Sequence, residues 1–215
     1  MRCVSFDWSS MHEYGNLWWC LLQHRHDIFV KELGWELPTC EKTASVEFDQ
    51  YDTPNAVYFV VLDNEDQIAA SARLAPCDTE HQVGPSKVSY MIRDAALGLL
   101  DGIPSNILLG DAPTTSDVWE VTRLSSRSGK AVRVLAAAFN TYLAEHGVER
   151  MISLSPVALM RRMRALGFES SAIGPAIEMD DIDFSVISTK IDYVAAGLEN
   201  AVKDQSEKEV VTLAA

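Results

Sequence analysis

Apolar positions along the 215-residue chain change their period several times, and each change marks an element. Between Leu17 and Leu33, Trp18, Leu21, Leu22, Ile28 and Phe29 recur at three- and four-residue steps, which predicts a helix with Gly34 as its stop. Residues 38–55, rich in acids and holding Pro38 and Pro54, read as an ordered loop. Ala56 to Leu62 (AVYFVVL) is a continuous apolar, β-branched and aromatic run, the mark of a strand buried on both faces. Asp63-Asn64-Glu65-Asp66 is a turn, and Gln67 to Leu74 returns as the second arm of a hairpin. Residues 75–117 are turn-rich, with a short helix predicted near Tyr90–Leu100.

Val118 to Leu124 (VWEVTRL) alternates and reads as a strand. Gly129 to His146 has a helical face of Val132, Leu135, Ala136, Phe139, Tyr142 and Leu143, and Gly147 ends it. A short strand over Met151–Leu154 and a helix over Pro156–Leu166 follow, then one or two strands that include Phe184–Ser188. The order α-β-β-…-β-α-β-α-β predicts a single α/β domain of mixed sheet over residues 1–192. Residues 193–215 read as a helical or flexible C-terminal tail.

Composition narrows the class. Hydrophobic residues make up 47% and charged residues 23%, the balance of a globular protein with a sizeable core. The net charge is −13, but residues 121–170 hold 8 Lys/Arg against 3 Asp/Glu, one basic stretch in an acidic chain. Nucleic acid is not an expected partner, because phosphate neutralisation needs a dominant positive surface. Cys3, Cys20, Cys40 and Cys77 fall in no metal-ligand or disulfide-framework spacing and read as reduced thiols. None of the five His lies in a ligand pattern, so no metal is expected. With no signal-peptide pattern at the start and no apolar run of spanning length, the expected location is cytoplasmic.

The residues that invite chemistry are Arg25, Phe29 and Trp35, then Glu47-Phe48-Asp49-Gln50-Tyr51-Asp52, then Arg73, then Trp119-Glu120-Val121-Thr122-Arg123. Taken one at a time each has an ordinary explanation as a surface charge, a core aromatic or a loop acid. Two features resist that. Asp49 and Asp52 stand among aromatics just before a buried strand, where unpaired carboxylates are costly. Glu120 and Arg123 lie on a core strand at a spacing that sends them to opposite faces unless the strand is bulged or ends there.

The run Arg25-x3-Phe29-x5-Trp35, the segment 47–58 (EFDQYDTPNAVY), Arg73-Leu74 and Trp119-Glu120-x-x-Arg123 resemble the LuxI-type acyl-homoserine-lactone synthases over about residues 14–178. Tyr90-Met91-Ile92-Arg93-Asp94 departs from the family pattern, being followed by Ala95-Ala96 in place of a nearby Phe. The resemblance implies a GNAT-like acyltransferase fold, with helices packed on a central twisted sheet. It also implies a quorum-sensing signal as product, made from S-adenosylmethionine as co-substrate and an acyl thioester, acyl carrier protein being favoured over coenzyme A. In that reaction the α-amine attacks the thioester, and the carboxylate then closes the lactone and expels methylthioadenosine.

Residue chemistry agrees with this expectation. Aromatic faces and carboxylates suit a sulfonium, which points to Phe29, Trp35, Asp49 and Asp52. Arginines suit a carboxylate, which points to Arg25, Arg73 and Arg123. Glu120 is the expected base for an α-amine of pKa about 7.7–8.0, with Asp49, Asp52 and Arg123 beside it in the catalytic set. The acyl chain is expected between the strands 118–124 and 151–154, near Trp119, Ser153 and Ser155. Arg127, Lys130, Arg133, Arg150, Arg161, Arg162 and Arg164 are the expected carrier-docking residues. Two other readings stay open: a generic coenzyme A-dependent N-acyltransferase, and a non-catalytic module binding an adenosyl or acyl ligand.

Overall fold

The computed structural model describes residues 1–37, 44–179 and 181–192. The expected tail over 193–215, the first residues of the 38–55 loop and Cys40 lie outside the described residues. Strands β1 (Arg2–Phe6), β2 (Val57–Leu62), β3 (Ile68–Pro76), β6 (Val118–Ser126), β7 (Arg150–Pro156), β10 (Ile182–Lys190) and β8 (Ser170–Ala172) form one sheet in that spatial order, with β9 (Ile177–Met179) also paired to β10. A separate small hairpin joins β4 (His81–Val83) and β5 (Ser86–Val88). Helices α1 (Leu17–Arg25) and α2 (Met91–Ala96) lie on one face, which we term the front; α3 (Gly129–Glu145) and α4 (Val157–Ala165) lie on the other.

The β2 run explains the layering. Val57, Phe59 and Val61 enter the core under α3, while Tyr58, Val60 and Leu62 enter the core under α1. A strand with both faces buried has no polar alternation to show, as its sequence indicated. Helix α3 starts where Ser128 Oγ accepts from Ala131 N at 3.2 Å, and it stops before Gly147, whose φ of 71° places it in the left-handed region.

Several expected elements take a different form. The Leu17–Leu33 helix is α1 followed by a π-helical segment over His26–Glu32. There Leu33 N donates to Ile28 O and Trp35 N to Phe29 O, both at 2.9 Å, so the chain folds Trp35 back over Phe29. Edge strand β1, the β4–β5 hairpin and the short β8 and β9 carry too few periodic positions to read from sequence.

Every neighbouring pair in the sheet is antiparallel except β6 and β7. These two run parallel for only three pairs, Val118↔Arg150, Trp119↔Met151 and Glu120↔Ile152, and then separate. On the other side of β6, the register against β3 slips between Ser71 and Arg73, and Arg123 has φ of 51°. That bulge resolves the spacing anomaly: one extra residue turns Arg123 onto the face that holds Glu120 and Thr122. A left-handed non-glycine residue costs of order 1–3 kcal/mol, so the packing around Arg123 must hold it there.

Candidate active site

On the front face the two apolar clusters under α1 and α2 leave a gap, and polar residues of β3 and β6 fill it. Arg73 from β3 and Arg123 from the bulge meet Arg25 from α1 and the acids of the loop before β2. Arg25 reaches Asp52 through both terminal nitrogens, at 2.7 and 3.0 Å, and Glu47 through Nε. Arg73 grips Asp49 at 2.6 and 3.1 Å, touches Asp52 at 3.0 Å and donates to Thr122 Oγ1 at 3.1 Å. Arg123 reaches Glu47 at 3.0 Å and Asp49 at 2.7 Å through Nη2.

Three guanidiniums thus neutralise three carboxylates inside the protein. Side-chain exposure is 0–1% for Arg25, Arg73, Glu47 and Asp52, against 7% for Asp49 and 8% for Arg123. Burial works to raise the Asp49 carboxyl, but Arg73 and then Arg123 outweigh it and hold it well below the usual carboxylate range. Asp52 is likewise lowered, burial being overcome by Arg73 and Arg25. The loop is folded to present these acids. Asp49 N donates to Asp52 Oδ2 and Tyr51 N to Asp49 Oδ1, both at 2.8 Å, and Tyr58 OH donates to Asp52 at 3.1 Å.

The aromatic pair lies against this network. Phe29 and Trp35 stack at 4.9 Å with 30° between planes, and the Arg123 guanidinium lies 5.5 Å from the Phe29 ring centre and 5.9 Å from that of Trp35. Six of the seven residues predicted for this substrate, Arg25, Phe29, Asp49, Asp52, Arg73 and Arg123, therefore meet, and the seventh, half-buried Trp35, stands at the rim. Glu47, Tyr51, Tyr58 and Thr122 belong to the same arrangement and were not singled out as site residues. For Glu47 and Tyr51 the signal was their place inside the 47–52 run. Among the described residues no group of His, Cys, Asp or Glu is arranged to hold a metal ion.

Glu120 stands apart. It makes no bond to an arginine; instead its carboxylate accepts from Met91 N at 3.0 Å and Ile92 N at 2.7 Å, the first amides of α2. Burial pushes its pKa up to about 7, against the pull of those amides. It is also the last residue of β6 paired to β7 before the strands part.

Behind the sheet the parting opens an apolar cleft. Val121 and Leu124 form one wall, Met151, Ser153 and Ser155 the other, and α3 and α4 close it with Ala136, Phe139, Leu159 and Met163. Its cavity volume is about 40 Å³, so the walls lie close together. Ser153 and Ser155 share the cleft face of β7, and Ser155 Oγ donates to Ser153 Oγ at 2.9 Å. Trp119 does not line the cleft; it lies where β6 and β7 are still paired, edge-on to Tyr142 at 6.1 Å.

The basic stretch is divided along the strands, with Arg150 at one end and the bases of α3 and α4 beyond the other. Arg127 and Lys130 are exposed where α3 begins, Arg127 pairing with Glu32 at 2.8 Å, and half-buried Arg133 lies one turn further on. Arg161, Arg162 and Arg164 are exposed along α4. Arg150 lies at the opposite end of the strands, level with Val118, and bonds Ser188 Oγ at 2.7 Å.

Comparison with known proteins places these features in a family. Residues 24–103 match the model of the acetyltransferase (GNAT) domain. An acyl-homoserine-lactone synthase of Ralstonia nicotianae is 32% identical over 166 residues, covering 72% of each chain. Another, of Acinetobacter baumannii, is 31% identical over 185 residues, covering 79% of this chain and 88% of its own. Among solved structures, TofI in a ternary complex with an inhibitor and MTA matches with a TM-score of 0.71 and 23% identity, over 94% of this chain and 100% of TofI. The CoA-dependent synthase BjaI with SAM and isopentyl-CoA matches at 0.76 and 20%, over 95% and 90% of the two chains. With a GNAT-like mixed sheet parted between β6 and β7, and with sequence kinship of this extent, the chain belongs to the acyl-homoserine-lactone synthases, a family of acyltransferases.

Proposed function

We propose that this chain joins the α-amine of S-adenosylmethionine to an acyl thioester at Glu120 and then closes the homoserine lactone with release of methylthioadenosine. The observation that carries the reading is the position of Glu120. It is a buried carboxylate of pKa about 7 on the front face, at the residue where β6 leaves β7 and the acyl cleft begins behind the sheet. An amine held in front and a thioester threaded through the parting meet there.

Glu120, directly or through a water, takes the proton of the α-amine, whose ordinary pKa of about 7.7–8.0 makes a base of this strength sufficient. Nitrogen then attacks the thioester carbonyl and the thiol leaves. Asp49 and Arg123, the least buried members of the ion network, face the substrate together with half-buried Trp35, and the fully buried Phe29 backs Trp35 by stacking on it. Trp35 and Asp49 hold the sulfonium, and Arg123 takes the carboxylate. Arg25, Arg73 and Asp52 support these groups from behind. Lactone closure needs the carboxylate oriented at the carbon next to sulfur; the sulfonium leaves without a proton, so positioning supplies that step.

Ser153 accepts from Ser155, which leaves its own proton to donate to an oxygen on the acyl chain. The exposed bases at the start of α3 and along α4 flank the cleft and suit an acidic acyl carrier protein. The test is mass spectrometry of the purified protein with S-adenosylmethionine and a panel of acyl thioesters on carrier protein and on coenzyme A. An acyl-homoserine lactone with equimolar methylthioadenosine supports the reading. An acylated product without methylthioadenosine indicates a plain acyltransferase, and binding without product indicates a ligand-binding module.

A further inference from the structure

Asp94 is buried on α2, outside the ion network, and the reaction above gives it no task. One of its oxygens, Oδ2, accepts from Tyr51 OH at 3.0 Å and from Ser89 N at 3.2 Å. Tyr51 belongs to the acid loop: its amide donates to Asp49 Oδ1 at 2.8 Å, and its ring centre lies 5.9 Å from the Arg73 guanidinium. On the same short helix the amides of Met91 and Ile92 hold Glu120. Helix α2 is thus gripped twice, by Glu120 at its first amides and by the Tyr51 hydroxyl at Asp94.

We propose that Asp94 is a positioning residue that acts through the Tyr51 hydroxyl, fixing the loop that carries Asp49 at a set distance from Glu120. The inference rests on Glu120 being the base of the proposed reaction. The need for such a bolt follows from the topology. Glu120 comes from β6 and Asp49 from a loop before β2, two segments far apart in sequence. Arg73 and Arg123 tie Asp49 to the sheet, but neither touches the carboxylate of Glu120. The one described side chain that joins α2 to the acid loop by a hydrogen bond is Asp94. The Tyr51 hydroxyl and the Ser89 amide fall on a single oxygen, so the tether needs an acceptor at that place and not a charge. Burial pushes the Asp94 carboxyl up from its ordinary range, with Ser89 and Tyr51 working against it, and an uncharged carboxyl would still accept both bonds.

The experiment is steady-state kinetics on the full chain carrying Asp94→Ala, Asp94→Asn, Tyr51→Phe and the Tyr51→Phe/Asp94→Ala pair, varying S-adenosylmethionine and acyl thioester separately. Losing a buried bond of this kind lowers kcat about tenfold in Asp94→Ala and in Tyr51→Phe. KM for S-adenosylmethionine rises, while KM for the acyl donor stays put because the cleft lies behind the sheet. Asparagine keeps both bonds and restores turnover to within about twofold, and the double variant is no slower than Asp94→Ala alone. A uniform loss of folded protein would leave both KM values unchanged. Full kcat in Tyr51→Phe, an additive double variant, or Asp94→Asn as slow as Asp94→Ala would each overturn the proposal. If Asp94→Ala does not fold, Tyr51→Phe and Asp94→Asn still decide. Failure of the underlying reading is separate: normal turnover in Glu120→Gln removes the base, while coupling of Tyr51 and Asp94 in KM for S-adenosylmethionine would persist.

Discussion

Replacing Glu120 by Gln tests catalysis and stability together. A general base contributes about 10²–10⁴-fold, so kcat should fall by that range while S-adenosylmethionine still binds. The stability effect follows from linkage. Glu120 titrates near 7 in the fold and near its ordinary 4.5 when unfolded, so between those values the folded state holds one more proton. Stability from this group is full below 4.5 and is lost as pH rises through 7, by about 3 kcal/mol at 1.36 kcal/mol per tenfold change in proton affinity. His24 acts in the opposite sense. Burial, and then Arg127, lower it from 6.5 to about 4, so the unfolded state holds the extra proton and stability rises with pH over that window. The two slopes oppose each other in the native protein between about pH 4.5 and 6.5. Glu120→Gln removes one of them. Urea unfolding across this range should show the variant gaining stability relative to the native protein by about 3 kcal/mol from pH 5 to pH 8. Parallel curves would refute the buried titration, and undiminished kcat would refute the role as base.

Three further outcomes follow from the same geometry. Arg73→Met leaves Asp49 and Asp52 short of a partner and should destabilise the fold by about 3–5 kcal/mol in thermal unfolding. Because Arg73 lowers the Glu120 pKa, the surviving activity should also have its acid limb moved to higher pH. Acid unfolding should set in below about pH 4, where the depressed carboxyls of Asp49 and Asp52 give up stability as pH falls from their unfolded toward their folded values; Asp49→Asn should flatten that limb of a circular-dichroism titration. Ala136→Phe fills the buried floor of the apolar cleft proposed to take the acyl chain, where overpacking costs about 1–3 kcal/mol. A chain-length panel should therefore show long acyl donors losing kcat/KM by at least tenfold relative to short ones, and an unchanged panel would place the chain elsewhere.

Much of the site was legible in the primary structure because its chemistry is local. Asp49, Tyr51 and Asp52 lie within one turn of loop, Arg25 and Phe29 are one helical turn apart, and polar residues in such apolar surroundings need partners wherever the chain takes them. The anomaly at Glu120 and Arg123 was visible too, since period-two alternation is a strict rule and a bulge is one way to break it. What could not be read was how the arginines would be used. As single residues they look free to meet a substrate carboxylate; in the fold all three are paired with neighbouring acids, and Arg123 and Asp49 keep the most side-chain exposure of the network. Glu120 looked like a member of the same cluster, yet it is bonded to two backbone amides, which carry no side-chain identity and leave no trace in sequence.

Periodicity and local backbone preference act over a few residues, and they were enough to specify the buried β2, the amphipathic α3 with its glycine stop, and the set of charged and aromatic residues. Tertiary structure decided which face Arg123 joins, that β6 and β7 part immediately after Glu120, and that the basic stretch splits between α3, α4 and the far end of β7. Those outcomes depend on register and strand separation. They arise only when segments distant in the chain compete for the same hydrogen bonds and the same buried space, and no local pattern encodes the winner.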